Sequence, residues 1–229
     1  MAGGALPACH LKTNTFLYIM TTTISSKWTR NLPIFTLTLA IFSLVISSTS
    51  LRHTLQYDRV AVAGGQLWLL LTGHFSHWSP DNLLWDLLVF VVLGVMTERR
   101  SRSGLILCLG GSATLISGLL WFVLQDMDCY RGLSGLDSAL FSFTALWMVR
   151  ERIHTRDYRE AGLILLVSAT FLFKIVYESY TQESVFTSSV DLFTPVPLAH
   201  LAGGFVGIIV ALFSFNTKTI KNNKLLQKT

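Results

Sequence analysis

Charged residues are scarce in this sequence. They make up 14% of the chain, whereas soluble domains carry about 25%. Hydrophobic residues reach 51% and are collected in long uncharged runs instead of alternating with polar residues. A membrane span needs about 20 apolar residues to cross roughly 30 Å of hydrocarbon, and a soluble core of this size needs no such runs. The shortage of charge therefore excludes an ordinary soluble domain and predicts an all-α polytopic membrane protein.

Cysteines are few as well, and they follow no pairing or metal-binding pattern. The sequence has an odd number of cysteines, Cys9, Cys108 and Cys129, and their spacing is not that of metal ligands. The sequence therefore predicts no disulfide framework, no metal and no cofactor. The net charge of +5 does not indicate nucleic acid, because the basic residues lie in short segments between apolar runs, where they set membrane orientation.

The first thirty residues lack the charged start and long apolar middle of a signal peptide. Met20 is an alternative start, because the apolar pattern begins only after Arg30. We predict that residues 1–30 form a poorly ordered cytoplasmic segment, that residues 31–216 form the membrane domain, and that residues 217–229 form a basic cytoplasmic tail.

Six apolar runs are long enough to be spans. They are residues 32–51, 82–97, 104–124, 132–149, 161–177 and 192–215. The run 60–72 is too short to cross and is predicted to form an interfacial loop, with Trp68 at the level of the lipid headgroups.

The basic residues support six spans and set the orientation. They cluster before the first span, between the second and third, between the fourth and fifth, and after the sixth, at Lys27, Arg30, Arg99, Arg100, Arg102, Arg150, Arg152, Arg156, Arg159, Lys218, Lys221, Lys224 and Lys228. With six spans all four clusters lie on one side, whereas five or seven spans would scatter them over both. The positive-inside rule then places both termini in the cytoplasm.

Four polar residues within the apolar runs require an explanation, because ionisable groups in a membrane are costly and usually functional. Ser134 lies between Gly132 and Gly135 at the outer start of the fourth span. Glycines permit a tight turn and a close chain approach, and the N–H groups of a helix start can stabilise an oxyanion. The alternative is that Ser134 is a plain helix N-cap. The other three positions are Asp86, Asp137 and His200.

His200 lies on the same side of the membrane as Ser134, roughly 10 Å below the outer surface at the rise of an α-helix. A neutral imidazole can accept a proton from a serine hydroxyl; the alternative is a histidine hydrogen-bonded to a neighbouring helix. Gly203 and Gly207 are spaced for close helix packing, which would bring the fourth and sixth helices together. The matched depth of the two side chains fits a nucleophile and its general base.

Two motifs give the sequence a specific resemblance. The pattern G-x-S-G at Gly132–Gly135 and the pattern A-H-x-x-G at Ala199–Gly203 resemble those of the rhomboid family of intramembrane serine proteases. The resemblance covers about residues 32–215. It implies a six-helix rhomboid-like bundle, with Ser134 as nucleophile and His200 as general base.

Two stretches most resemble the rhombosortase branch of that family, namely residues 130–135 and residues 83–86. This resemblance implies an enzyme that removes C-terminal Gly-Gly-type membrane anchors from exported proteins. It further implies a bacterial inner membrane, with the active site toward the periplasm. The expected partners are membrane-anchored proteins with a C-terminal transmembrane helix, and the lipid bilayer.

The second span departs from the family pattern H-x-x-x-N, because it has Asn82 and Asp86 at these positions. The amide of Asn82 can donate a hydrogen bond, whereas Asp86 can do so only when protonated. We expect the Ser134 N–H and Asn82 to be the oxyanion donors; the alternative for Asp86 is a structural hydrogen bond to a loop. His74 and His77 are expected to anchor the first loop, and their spacing is a weak zinc pattern.

Two further positions differ from many rhomboids. The family's Trp-Arg loop motif is Trp68-Leu69 here, and Ser138 occupies the position of a tyrosine that stacks on the histidine. Asp137 either orients the imidazole or caps a water cluster. The acidic stretch with Glu178, Glu183 and Asp191 either gates the entrance or is a solvated loop.

Two other functions remain open at this point. One is a catalytically inactive rhomboid-like protein that binds membrane helices, for which the changes at Asn82 and Asp86 argue. The other is a small transporter or channel, which would have inverted repeats that this sequence lacks. For a protease, a substrate helix would enter between the second and fifth helices and unwind, since helical carbonyls are shielded by their own hydrogen bonds.

Overall fold

The computed structural model describes residues 32–181 and 196–226, with the side chains of the last helix described up to residue 215. Six long helices lie at the positions of the six predicted spans. They are α1 (Ile34–Ser48), α2 (Pro80–Arg100), α3 (Arg102–Phe122), α4 (Ser134–His154), α5 (Tyr158–Thr181) and α6 (Pro197–Leu226). The predicted all-α bundle is confirmed, whereas residues 1–31 and 192–195 lie outside the described residues.

Four of these helices are long and apolar enough to cross a membrane within the described residues, namely α2, α3, α5 and the Pro197–Phe215 part of α6. The helix α1 has only 15 residues, so the predicted span 32–51 was too long. It begins after Pro33, which has no N–H to donate, and it ends where the chain becomes extended at Thr49. The helix α4 has 21 residues, and charged side chains near its C-terminal end, Arg150 to Arg152, lower its hydropathy.

Two serines define the connections around α2 and α3. Ser79 is extended, and its hydroxyl oxygen accepts the N–H of Asn82 at 3.2 Å, with Pro80 in the first turn. Ser101 is the single extended residue between α2 and α3, and its hydroxyl accepts the N–H of Gly104 at 2.9 Å. Such side-chain caps satisfy N–H groups that a helix start leaves unpaired, so both helices start at residues set by the sequence.

The start of α1 is bound to the end of α2 by a buried acid. The carboxylate of Glu98 accepts the N–H of Phe35 at 3.2 Å and both the N–H and the hydroxyl of Thr36 at 2.8 Å. A negative charge at a helix N-terminus is favourable because the peptide dipoles point their positive end there. A Cβ on Gly94 would lie 2.6 Å from Thr36 Cγ2, so the two helices approach closely at this end.

The helix α4 is the centre of the bundle, since α2, α3, α5 and α6 all pack on it. Its inward face is completely buried, with Leu136, Ala139, Leu140 and Phe143 among the least exposed residues. The helix α5 lies at the periphery, and among its described residues only Ala161, Ile175 and Glu178 are buried. Exposed apolar side chains cover the rest of α5, including Leu163, Leu166, Leu172 and Phe173, which suits contact with lipid.

The loop between α1 and α2 folds into short helices at Leu51–Thr54, Arg59–Ala63 and Leu69–Thr72, followed by a 3₁₀ turn at Gly73–Phe75. None of these is long enough to cross a membrane. Trp68 is 56% exposed at the start of one of them. A short strand in the loop, β1 (Tyr57–Asp58), pairs antiparallel with β2 (Cys129–Tyr130). This pairing attaches the loop to the segment that leads into Ser134.

Candidate active site

The helices α4 and α6 bring Ser134 and His200 together. Ser134 is the first residue of α4, and His200 lies in the first turn of α6. Their side-chain atoms Oγ and Nε2 are 3.0 Å apart, although the residues are 66 positions apart in the chain. His200 is buried, with 7% of its surface exposed. A hydroxyl and an imidazole at this distance can exchange a proton directly.

Small residues allow α6 to approach the backbone of α4. A Cβ on Gly203 would overlap the carbonyl oxygen of Gly135, and a Cβ on Gly207 would overlap the carbonyl oxygen of Ala139. The close packing predicted from the spacing of these two glycines is therefore confirmed. Because Gly135 follows Ser134 and Gly203 lies one turn after His200, this contact sets the distance between the Ser134 and His200 side chains.

The turn before α4 requires a glycine. Gly132 has a φ of +131°, which a residue with a Cβ rarely adopts. The Gly132 N–H donates to the Gly73 carbonyl at 3.4 Å, and the Gly132 carbonyl accepts a hydrogen bond from the Tyr130 hydroxyl at 3.4 Å. The N-cap position of α4 is occupied by Leu133, so the alternative that Ser134 is the N-cap is wrong. The N–H groups of the first turn, including that of Ser134, have no partner within the helix.

Arg131 fixes the segment that leads into Ser134. Its guanidinium donates to Gln56 Oε1 at 2.7 Å, lies 3.0 Å from His53 Nδ1 and stacks 4.3 Å above the ring of Trp78. These partners all belong to the loop between α1 and α2. The sequence indicated only a charge in an outer loop here, and no spacing signal identified the role of Arg131 in holding two loops together.

His74 and His77 anchor the first loop, as predicted. His74 Nε2 lies 3.1 Å from the Ser117 hydroxyl on α3, and His77 Nδ1 lies 3.0 Å from the Ser47 hydroxyl on α1. Both imidazoles are buried. Burial lowers the pKa of His74 to about 4, so this side chain is neutral at pH 7.

Asp86 on α2 lies between the first loop and the turn before α4. Its Oδ2 atom is 3.2 Å from His77 Nε2. A Cβ built on Gly132 would be 3.7 Å from the same Asp86 oxygen and 3.8 Å from Ser134 Oγ, so both groups lie beside Gly132. Neither His77 Nε2 nor Asp86 Oδ2 has a hydrogen-bond partner among the described residues, so the alternative of a structural hydrogen bond from Asp86 to a loop stays a prediction.

Asn82 is buried in the first turn of α2, one turn before Asp86. Its side-chain oxygen has no hydrogen-bond partner among the residues that the structure describes. Asp137 is buried too, in the first turn of α4 and three residues after Ser134. The hydroxyl of Ser138 donates back to the Ser134 carbonyl at 2.8 Å, as a helical serine often does.

Glu178 is not in a solvated loop, so that interpretation is wrong for this residue, whereas a role as a gate stays a prediction. It lies near the C-terminal end of α5 with 1% of its surface exposed. Its Oε2 atom accepts a hydrogen bond from Lys174 Nζ at 2.8 Å and lies 3.6 Å from His200 Nδ1. The available sequence signal was the spacing of four between Lys174 and Glu178, which places them on one helix face. Glu183 and Asp191 lie outside the described residues.

A cavity of about 460 Å³ opens beside the serine hydroxyl. Its walls combine loop and helix residues, among them Trp78, Tyr130, Arg131, Ser134, Val196 and Ala199. A volume of this order is typical of sites that enclose several groups of a ligand. Part of the wall comes from the loop between α3 and α4, so the cavity lies at the end of the bundle where this loop is found.

Comparison with known families shows the family of the chain. The model of the rhomboid domain matches residues 64–217, which is more than half of the chain and includes both Ser134 and His200. No curated protein sequence matches the chain. The match begins in the first loop and extends over α2 to α5 and most of α6. The chain belongs to the rhomboid family, whose members are serine proteases that act on membrane proteins within the lipid bilayer.

Proposed function

We propose that this chain is an active intramembrane serine endopeptidase with Ser134 as nucleophile and His200 as general base. The observation that carries the proposal is the distance of 3.0 Å between Ser134 Oγ and His200 Nε2 at the buried α4–α6 contact. A weak nucleophile such as serine requires an adjacent base, and these two groups fulfil that requirement.

The reaction follows from the groups around this pair. Ser134 Oγ attacks the scissile carbonyl carbon while His200 Nε2 accepts its proton. The oxyanion forms beside the unpaired N–H of Ser134, with the side-chain amide of Asn82 as second donor. His200 then gives the proton to the leaving amine, and a water molecule activated by His200 hydrolyses the acyl-enzyme. Gly132 and Gly135 shape the turn and the helix contact that hold Ser134 in place.

The peripheral position of α5 supports substrate entry between α2 and α5. Few of its described side chains are buried, so a substrate helix can displace it more readily than α4 or α6. The peptide to be cut must leave its helical hydrogen bonds before its carbonyl is accessible. The cavity beside Ser134 provides space for such an unwound segment.

The proposed substrates are exported proteins with a C-terminal Gly-Gly-type anchor, a membrane helix and a basic tail. Support comes from the resemblance of residues 130–135 and 83–86 to rhombosortases. Glycines also unwind a helix at low cost and lack side chains that would obstruct a narrow site. The proposed location is a bacterial inner membrane with both termini in the cytoplasm and Ser134 toward the periplasm, because the basic segments lie opposite to Ser134.

A cleavage assay in liposomes tests this proposal. The reporter carries a Gly-Gly-helix-basic C-terminus, and a matched reporter carries Leu-Leu in place of Gly-Gly. We expect the chain to cut the first reporter and to cut the second at least about 10-fold more slowly, since two added side chains must be accommodated. Ser134→Ala and His200→Ala should each lower kcat by about 10³-fold or more.

Two matched variants control for general damage. Ser112→Ala removes a buried hydroxyl on α3 that bonds only to carbonyls of its own helix, and His154→Ala removes an exposed histidine at the inner end of α4. Both should retain wild-type cleavage. Full activity in either dyad variant would refute the proposed catalytic pair, and equal cutting of both reporters would refute the Gly-Gly preference.

One observation favours a second candidate, an inactive rhomboid-like protein that binds membrane helices. The carboxyl group of Asp86 lies beside Gly132, as the Ser134 hydroxyl does, at the position where the family pattern has an asparagine. An ionised carboxylate there would repel an oxyanion. The same assay decides between the two, because an inactive protein would bind the reporter helix without cutting it.

A further inference from the structure

Glu178 is a buried acid that the two-residue mechanism does not use. It lies on α5, which contributes few buried side chains, yet Glu178 is among the least exposed residues of the chain. Burying a carboxylate is costly unless it is paired and hydrogen-bonded. Its Oε2 atom has two basic neighbours, Lys174 Nζ at 2.8 Å and His200 Nδ1 at 3.6 Å.

The chemistry of His200 requires an acceptor on this side of the ring. For Nε2 to accept the proton of Ser134 it must present its lone pair, so Nδ1 must carry the hydrogen of the neutral imidazole. His200 Nδ1 is buried, and no hydrogen-bond partner is found for it among the described residues. The carboxylate of Glu178 is the acid that faces this atom.

The separation of 3.6 Å between Nδ1 and Oε2 is slightly too long for a hydrogen bond, and a shift of about half an ångström would close it. Catalytic hydrogen bonds are often long in a free enzyme and shorten when the substrate binds. Lys174 Nζ donates to the same carboxylate oxygen at 2.8 Å, because residues four apart lie on the same face of a helix.

We propose that Glu178 is a positioning residue, which holds the Nδ1–H of His200 toward α5 so that Nε2 faces Ser134, with Lys174 as its counter-ion. The site is then a chain of three side chains from α4, α6 and α5. This inference rests on the proposed protease function. The competing explanation is that Glu178 only neutralises Lys174 within the bundle and has no influence on His200.

Steady-state kinetics on the reporter separates the two explanations. Glu178→Met removes the acceptor oxygen at nearly constant volume and should lower kcat about 10- to 100-fold, because a misoriented base loses part of its contribution of about 10²–10⁴. KM should stay within about twofold, since Glu178 does not bind the substrate in this proposal. Glu178→Gln keeps an acceptor oxygen and should recover part of the lost kcat.

The double variant Lys174→Met/Glu178→Met is the decisive one. It leaves no unpaired charge in the bundle, so it folds even where the single variant does not. If Glu178 positions His200, kcat stays as low in the double variant as in Glu178→Met. If the acid only neutralises Lys174, the double variant regains the wild-type kcat, which would overturn the inference.

Glu160→Met is the matched control on the same helix. Glu160 pairs with Arg152 at 2.6 Å at the other end of α5, so its loss breaks an ion pair far from the dyad and should leave kcat unchanged. If the wild type is active and Glu178→Met has the same kcat, this inference is overturned while the proposed function stands. A wild type that cuts neither reporter overturns the proposed function and this inference with it.

Discussion

The contact between α4 and α6 and the contact between α4 and α5 are built in different ways. The first is backbone to backbone, with Gly203 and Gly207 against the carbonyls of Gly135 and Ala139. The second is made by side chains, such as the rings of Phe141 and Phe171, whose centroids are 4.6 Å apart. A backbone contact leaves the two helices little freedom to move against each other, whereas a contact between side chains can separate and form again. Ser134 and His200, the proposed nucleophile and base, therefore lie on the fixed contact, and Glu178 lies on the helix of the adjustable contact.

This difference predicts a graded response to substitution. Changes at the α4–α6 contact should abolish activity because they alter the distance between Ser134 and His200. Changes on α5 should alter activity moderately when they face α4 and α6, and should have no effect when they face away.

The largest effect is expected for Gly203→Val. Its side chain would overlap the Gly135 carbonyl, so α6 must move away from α4. Overpacking of this kind costs about 1–3 kcal/mol of stability, and more where backbone is the obstacle. Cleavage should fall by at least about 100-fold, since a displacement of about 1 Å at a reacting pair has this effect. Cleavage near the wild-type rate would show that the backbone contact does not set the geometry of the dyad.

A moderate effect is expected for Phe171→Ala. One face of α5 carries Phe171, Lys174 and Glu178, because of their helical spacing. Loss of the contact between the Phe171 and Phe141 rings therefore weakens the packing of this face against α4. Stability should fall by about 0.5–1.5 kcal/mol, and kcat by a few-fold. Phe173→Ala is the matched control, because Phe173 is exposed on another face of α5 and its removal should change neither quantity. Equal kcat losses in both variants would contradict the assignment of the two faces.

The smallest effect is expected for Gly162→Ala, also on α5. An added Cβ there has no atom within 4 Å, in contrast to Gly203. Alanine favours a helix over glycine by about 0.8–1 kcal/mol, so thermal stability should rise slightly while kcat stays unchanged. A loss of stability would reveal that α5 packs more tightly than its exposed glycine indicates.

Much of the fold was predictable because membrane spans leave a strong signal in one sequence. The six apolar runs predicted six helices, and the structure has a long helix at each of them. The orientation that the basic segments indicate stays a prediction. The close approach of α4 and α6 could be predicted from Gly203 and Gly207, since small residues spaced by four have few other uses in a membrane helix. The serine and histidine motifs then indicated which side chains this contact brings together.

Other features depend on tertiary contacts that a linear pattern does not reveal. Glu178 begins an acidic stretch, and such a stretch normally indicates a solvated loop. The helix instead continues to Thr181 and buries the carboxylate against Lys174 and His200. Glu98, which binds the start of α1, and Arg131, which binds two loops, were missed for the same reason. Each charge is buried by partners that are distant in the sequence.

A fluorophosphonate probe tests the central pair most directly, because it reacts only with an activated serine hydroxyl and needs no knowledge of the natural substrate. Purified wild type, Ser134→Ala and His200→Ala are incubated with the probe, and the modified residue is located by mass spectrometry. We expect labelling of the wild type at Ser134, no labelling at this position in Ser134→Ala, and labelling at least about 100-fold slower in His200→Ala. Labelling of His200→Ala at the wild-type rate, or a wild type that does not react, would contradict the assignment of Ser134 and His200 as nucleophile and base.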